Sequence, residues 1–146
     1  MDDFIREWFT WFEEGMEVVD DKQKSQFFSK CAENCVKKGV LRMYQEFYEE
    51  CGNDLDIFYS SLSVKGYGEG RVIESQKVYE LAFSECTCEL SKHGYVKTDQ
   101  ICECSRQSIL HIMQSFRDDI NFEVERLSTI LGGSEECRFL IRIVSG

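Results

Sequence analysis

Along the first 65 residues, apolar positions return every three or four residues, the spacing of one helical face. In "FIREWFTWFEEGM", Phe4, Ile5, Trp8, Phe9 and Phe12 follow that spacing, and Trp11 widens the stripe. Asp20 or Asp21 is placed to cap a second helix through "KQKSQFFSKCAENCVKK", which Gly39 would end. A third helix follows, with Val40, Leu41, Tyr44, Phe47, Tyr48 and Cys51 on one face. A fourth begins near Asp54 and turns Leu55, Phe58, Tyr59 and Leu62 inward.

After "VKGYGEG", read as a Gly-rich turn over 66–70, the period changes to two. In "KVYELAFSE", Tyr79, Leu81 and Phe83 alternate with Glu80, Ala82 and Ser84, which predicts a strand. A thiol-rich loop leads to Ser105, which is placed to cap a helix with Ile109, Ile112, Met113 and Phe116 facing the core. The last quarter, "NFEVERLSTILGGSEECRFLIRIV", reads as a hairpin. Pairing Leu131 with Glu136 across Gly132-Gly133 sets Val124 against Ile143, Arg126 against Ile141, Ser128 against Phe139 and Ile130 against Cys137. The other face then pairs Glu125 with Arg142, Leu127 with Leu140 and Thr129 with Arg138. Phe122, Val124, Phe139, Ile141 and Ile143 should be buried, with Glu123 and Glu125 opposite. Arg126 and Ser128 stand out on that apolar face. They either contact a ligand or are moved to solvent by a bulge.

Helices first and antiparallel strands later predict an α+β fold: N-terminal helices, then an antiparallel sheet with a packed helix and a C-terminal β-hairpin. The 146 residues fit one domain, 1–146, with a helical part over 1–65 and a sheet-plus-helix part over 71–146.

Composition narrows the partners. The net charge is -10, from 27 acidic and 17 basic residues, without a basic stripe. Nucleic acid and anionic membranes would be repelled, so the acidity reads as a solubility device. No apolar run approaches the roughly 20 residues of a membrane span, and "MDDFIREWFTWFEEG" lacks the basic start of a signal peptide. The expected compartment is the cytoplasm, where thiols stay reduced, so the eight cysteines read as packing, metal or reactive groups rather than disulfides. A homodimer is compatible with this composition.

The candidate chemistry gathers in "CTCELSKHGYVKTDQICECS". Its pairs Cys86/Cys88 and Cys102/Cys104 are candidate zinc ligands, together with Cys31 and Cys35 one helical turn apart upstream. A one-residue spacer is short for a zinc knuckle, because an extended backbone points the two sulfurs to opposite faces. Cys31 and Cys35 equally suit a core, and Cys51 and Cys137 lie on apolar faces. Cys104 precedes the capping Ser105, where helix amides lower a thiol pKa, so it is the candidate nucleophile or thiolate ligand. His111, seven residues along the same helix, is too far to be its base, which leaves His93 in the loop. No Walker loop, dinucleotide fingerprint or Ser-hydrolase elbow is present.

"CECS" followed by "ECRFLI", over Val78 to Val144 and with "CAENC" upstream, resembles the group of 4-vinyl reductase-like small-molecule-binding domains and L-2-amino-thiazoline-4-carboxylate hydrolase-like proteins. The hairpin departs from that pattern, reading "GGSEEC" in place of a tighter Gly-Asp turn. The resemblance implies an α+β domain whose sheet and helices enclose a ligand cavity. The expected function is a cysteine-rich domain binding a small ligand, with Arg126 fixing an anionic group, Ser128 hydrogen bonding to it, and zinc as the possible cofactor. The alternative is a thiol- or metal-dependent hydrolase of the aminothiazoline-carboxylate type, using Cys104 and His93.

Overall fold

The computed structural model describes residues 2–85 and 88–145. Helices α1 (Asp2–Met16), α2 (Asp21–Lys38), α3 (Leu41–Glu50) and α4 (Leu55–Lys65) come first. Strands β1 (Glu69–Glu74) and β2 (Val78–Phe83), the short α5 (Glu89–Lys92), α6 (Cys102–Phe116), β3 (Asn121–Ser128) and β4 (Cys137–Ser145) follow. The fold is α+β, as the change of period implies.

The helix ends have local causes. The Asp20 carboxylate accepts a hydrogen bond from the Gln23 amide, and the Asp54 carboxylate accepts from Asp56 and Ile57. Gly66 closes α4 in the left-handed region at φ 76°, where a side chain would be strained, and the Tyr67 amide reaches back to the Leu62 carbonyl.

The four strands form one antiparallel sheet in the order β1-β2-β4-β3. Strand β1 was not expected. Arg71 and Ile73 are exposed and only Val72 turns inward among its apolar residues, so no alternation marks it. Helix α4 packs on β1, α6 packs on β3, and α2 lies across α6. The opposite face of the sheet carries ion pairs, Arg71–Glu80–Arg138–Glu136 and Arg142 with Glu125.

The core is aromatic. The Phe58 ring meets those of Tyr44, Phe47, Tyr48, Tyr59 and Phe116, and Tyr48 stacks on Phe116 at 4.3 Å. Tyr59 is fully buried, stacks on Tyr79 at 4.6 Å, and donates its hydroxyl to Met113 Sδ at 3.0 Å.

The hairpin bears out the faces but not the pairings. Phe122, Val124, Phe139 and Ile141 are buried and Ile143 half-buried, with Glu123 and Glu125 exposed. Val124 pairs with Ile141 and Arg126 with Phe139, two residues from the expected register. A shift of two leaves every side chain on its face, which is why burial followed the pattern while partners did not. The turn is longer than expected. Thr129 and Ile130 carbonyls accept from the amides of Gly132, Gly133 and Ser134, which takes residues 129–136 out of the ladder.

A bulge falls between Arg126 and Ser128. It does not send Arg126 to solvent, since that side chain stays half-buried. It inverts the alternation beyond, placing Ser128 opposite Arg138 and burying Thr129.

Candidate functional site

Helix α6 begins at Cys102, four residues earlier than expected, after a single 3-10 turn over Asp99–Ile101. This places Cys104 inside the first turn rather than just before a cap. The first turn of α6 faces α2, and one turn of α2 separates Cys31 from Cys35. Between α2, α6 and the inner face of the sheet lies a cavity of about 530 Å³.

Its floor is apolar, made by Leu81, Phe83 and Phe139 from the sheet and by Ile109, Ile112 and Met113 from α6. Five of the six expected thiols, Cys31, Cys35, Cys88, Cys102 and Cys104, line it, and the sixth, Cys86, lies outside the described residues. Cys137 lines it too. Cys31 and Cys35 are exposed at its edge rather than packed in a core, whereas Cys51 and Cys137 are buried as expected. No disulfide joins the described cysteines.

Burial pushes the Cys104 thiol up to about 12, and the neighbouring Cys35, Cys31 and Cys88 push the same way. That reverses the expectation that it would be the most acidic thiol. Desolvation of a thiolate outweighs the pull of helix amides when the side chain points into an apolar space. His93 does not fold back onto it in the contacts described. Its ring ends α5, largely exposed, 3.5 Å from Glu89 Oε2 and beside Tyr95. His111 instead meets the Ser29 carbonyl oxygen at 2.9 Å and hydroxyl at 3.1 Å.

Among the described residues, no group of three or more His, Cys, Asp or Glu side chains is placed to hold a metal ion. The gathered sulfurs line the cavity.

Arg126 and Ser128 sit elsewhere. They line a smaller polar pocket of about 320 Å³ with Asp99, Thr129 and Gly132. Arg126 Nη1 donates to the Asp99 carbonyl at 3.0 Å, and the Ser128 hydroxyl donates to the Glu136 carbonyl at 3.1 Å. Both side chains thus hold backbone of the adjoining loops. Thr129 borders both spaces, so it separates the polar pocket from the apolar one. Nothing in the sequence singled out Thr129, because only the bulge turns it inward.

The loop leading into α6 is pinned by Glu13, a buried acid of α1. Its carboxylate accepts from the Lys97 amide at 2.9 Å and from the Thr98 amide at 2.7 Å, and its carbonyl accepts from Gln100 Nε2 at 3.0 Å. With the Thr98 hydroxyl, which donates to the same carboxylate, Glu13 accepts four hydrogen bonds that fix the segment delivering Ile101 and Cys102.

No helix of the described chain is long and apolar enough to cross a membrane. No protein-family model matches the chain, and no curated protein matches it. Among solved structures, it is similar to the crystal structure of a trafficking protein particle complex subunit 3 from Naegleria fowleri covalently bound to palmitic acid. The identity is 15%, the TM-score 0.41, and the alignment covers 96% of this chain and 93% of that one.

Proposed function

We propose that this domain binds a small, largely apolar ligand in the space between α2, α6 and the sheet, with the cytoplasm as its compartment. The observation that carries the reading is the cavity itself. A volume of about 530 Å³ lined by Leu, Ile, Phe, Met and thiol groups lies within the range of ligand sites. An apolar lining of this extent, open at the Cys31 and Cys35 edge, keeps carbon and sulfur surface in contact with water that a bound apolar group would cover. Water gains little there, since it needs two to four polar partners to be held. A hydrocarbon or aromatic group would recover the missing contacts. The thiols suit such a ligand, because free Cys behaves as a small polarizable hydrophobe.

Titration with N-phenyl-1-naphthylamine, a neutral fluorophore that brightens in apolar surroundings, tests this. Saturable binding with one site per chain, and a rise in melting temperature with probe concentration, are expected. Cys35→Trp, at the exposed edge of the cavity, should weaken binding about tenfold without unfolding the chain, because it adds bulk at the entrance rather than in the core. Non-saturable binding, or binding untouched by Cys35→Trp and by Ile109→Phe inside the cavity, would sink the proposal. Elemental analysis of protein purified without chelator decides separately whether the thiols carry zinc.

A further inference from the structure

Helix α1 leaves part of its apolar surface exposed. Ile5, Phe9, Phe12 and Met16, spaced i, i+4, i+7 and i+11, are buried or half-buried, and the last three pack with Phe28, Val96 and Ile101. A second stripe runs beside the first. Phe4, Trp8 and Trp11 repeat the same spacing one residue earlier and are 58%, 48% and 52% exposed. Phe27 of α2, 49% exposed and 6.2 Å from Phe12 between ring centroids, widens the patch. The rings are held in place by one another, Phe4 edge-on to Trp11 at 6.2 Å and Trp8 stacked on Phe12 at 5.8 Å.

The border of this patch is acidic. On a helix, the positions next to Phe4, Trp8 and Trp11 on the side away from the core are Asp3, Glu7 and Glu14, and all three are exposed. Arg6, the one basic residue of α1, is turned away, with its guanidinium over the Tyr95 ring at 5.3 Å. Contiguous exposed aromatic surface marks an interaction site more often than chance exposure, and Trp is the commonest anchor of such sites.

We propose that the Phe4/Trp8/Trp11 face of α1, extended by Phe27, docks a basic amphipathic helix of a protein partner. Its apolar side would lie along the rings and its Lys or Arg residues against Asp3, Glu7 and Glu14. Charge complementarity selects this occupant. A second copy would set the same acidic row against itself in a chain of net charge -10, and an anionic lipid surface would be repelled by that row. An apolar helix face laid into an apolar surface with a charged rim is a common recognition mode.

The chain's two tryptophans are Trp8 and Trp11, so intrinsic emission reports the patch directly. The full chain is titrated with a designed Leu/Lys amphipathic helix, with its Leu/Glu counterpart, and with phosphatidylserine vesicles. A saturable blue shift with the Leu/Lys helix alone is expected, weakening about tenfold when salt rises from about 50 to about 300 mM. Glu7→Lys/Glu14→Lys should weaken it about tenfold as well, and Phe4→Ser/Trp11→Ser should abolish it while Trp8 still reports. These positions are exposed, and an unchanged circular dichroism spectrum checks that the variants fold. The proposal is overturned by no shift, by an equal shift with the Leu/Glu helix, by a shift with vesicles, or by unaltered binding in both variants. A blue shift that follows protein concentration alone, with a dimer in sedimentation, would make the occupant a second copy and overturn it too.

Discussion

Burial and a helix N-terminus act on a thiol in opposite directions, and Cys104 experiences both. The helix end contributes about 0.3–1 kcal/mol to an anion at low exposure to salt, whereas full desolvation shifts a buried group by up to several pKa units. Here burial, reinforced by Cys35, Cys31 and Cys88, holds the thiol up at about 12 against an ordinary value of 9.0. Iodoacetamide should therefore modify Cys104 more slowly at pH 7 than the exposed Cys31 and Cys35, as read by peptide mass spectrometry. Equal rates would show that the thiol is open to solvent. A raised acid also carries a stability signature. The unfolded thiol ionises near 9 while the folded one does not, so stability is lost as the pH rises from there towards 12. Cys104→Ala should lose less stability than the parent between pH 8 and 10, in urea titrations, by the share that belongs to this group alone.

At the scale of elements, the contact between α4 and β1 depends on a missing side chain. A Cβ at Gly70 would run into the Tyr59 carbonyl oxygen and come within 2.9 Å of Leu62 Cδ1. Backbone cannot yield as a flexible side chain can, so Gly70→Ala should push strand and helix apart and cost about 1–3 kcal/mol, the usual range for overpacking. Gly15→Ala is the control. A Cβ there meets nothing within 4 Å, and Ala is the better helix former by about 0.5–1 kcal/mol. Urea midpoints should move in opposite directions for the two variants. The same close approach explains why β1 escaped notice in the sequence. Its glycine serves packing against α4 and offers no apolar side chain to the alternation.

Three layers of the molecule are tied by one polar network. The Ser25 hydroxyl of α2 and the Gln107 amide both donate to Glu103 Oε2 at 2.9 Å. Arg106 donates to the same carboxylate and, through Nη1, to the Val124 carbonyl of β3 at 3.0 Å. Burial pushes the Glu103 carboxyl up, but the hydrogen bonds from Arg106, Gln107 and Ser25 outweigh it and hold the value below 4.5. Arg106→Met strips both ties, and loss of charged hydrogen bonds at a half-buried site should cost about 2–3 kcal/mol at pH 7. A lowered carboxyl stabilises the fold above its unfolded value and loses that contribution as the pH falls through the folded one. The deficit of Arg106→Met should therefore shrink below pH 4.5, where both proteins come to carry a neutral Glu103. A deficit constant from pH 7 to pH 3 would mean that the carboxylate does not report on the network.

Local rules determined a great deal of this protein without help from the fold. The capping aspartates Asp20 and Asp54, the closing glycines Gly39 and Gly66, and the faces of β2, β3 and β4 all follow from spacing and side-chain chemistry within a few residues. The gathering of thiols was legible for the same reason, since Cys88, Cys102 and Cys104 flank one loop and Cys31 and Cys35 share a helical turn. Tertiary structure decided the rest. Register slipped by two because the long turn over 129–136 is closed by its own hydrogen bonds, which alternation cannot count. Arg126 is held by the Asp99 carbonyl rather than reaching the apolar cavity, and the bulge after it inverts the faces beyond. The environment of Cys104 depends on α2, far earlier in the chain, closing over it. Spacing along one helix places a side chain on a face, but only the element packed against that face sets its solvent, and solvent is what governs its chemistry.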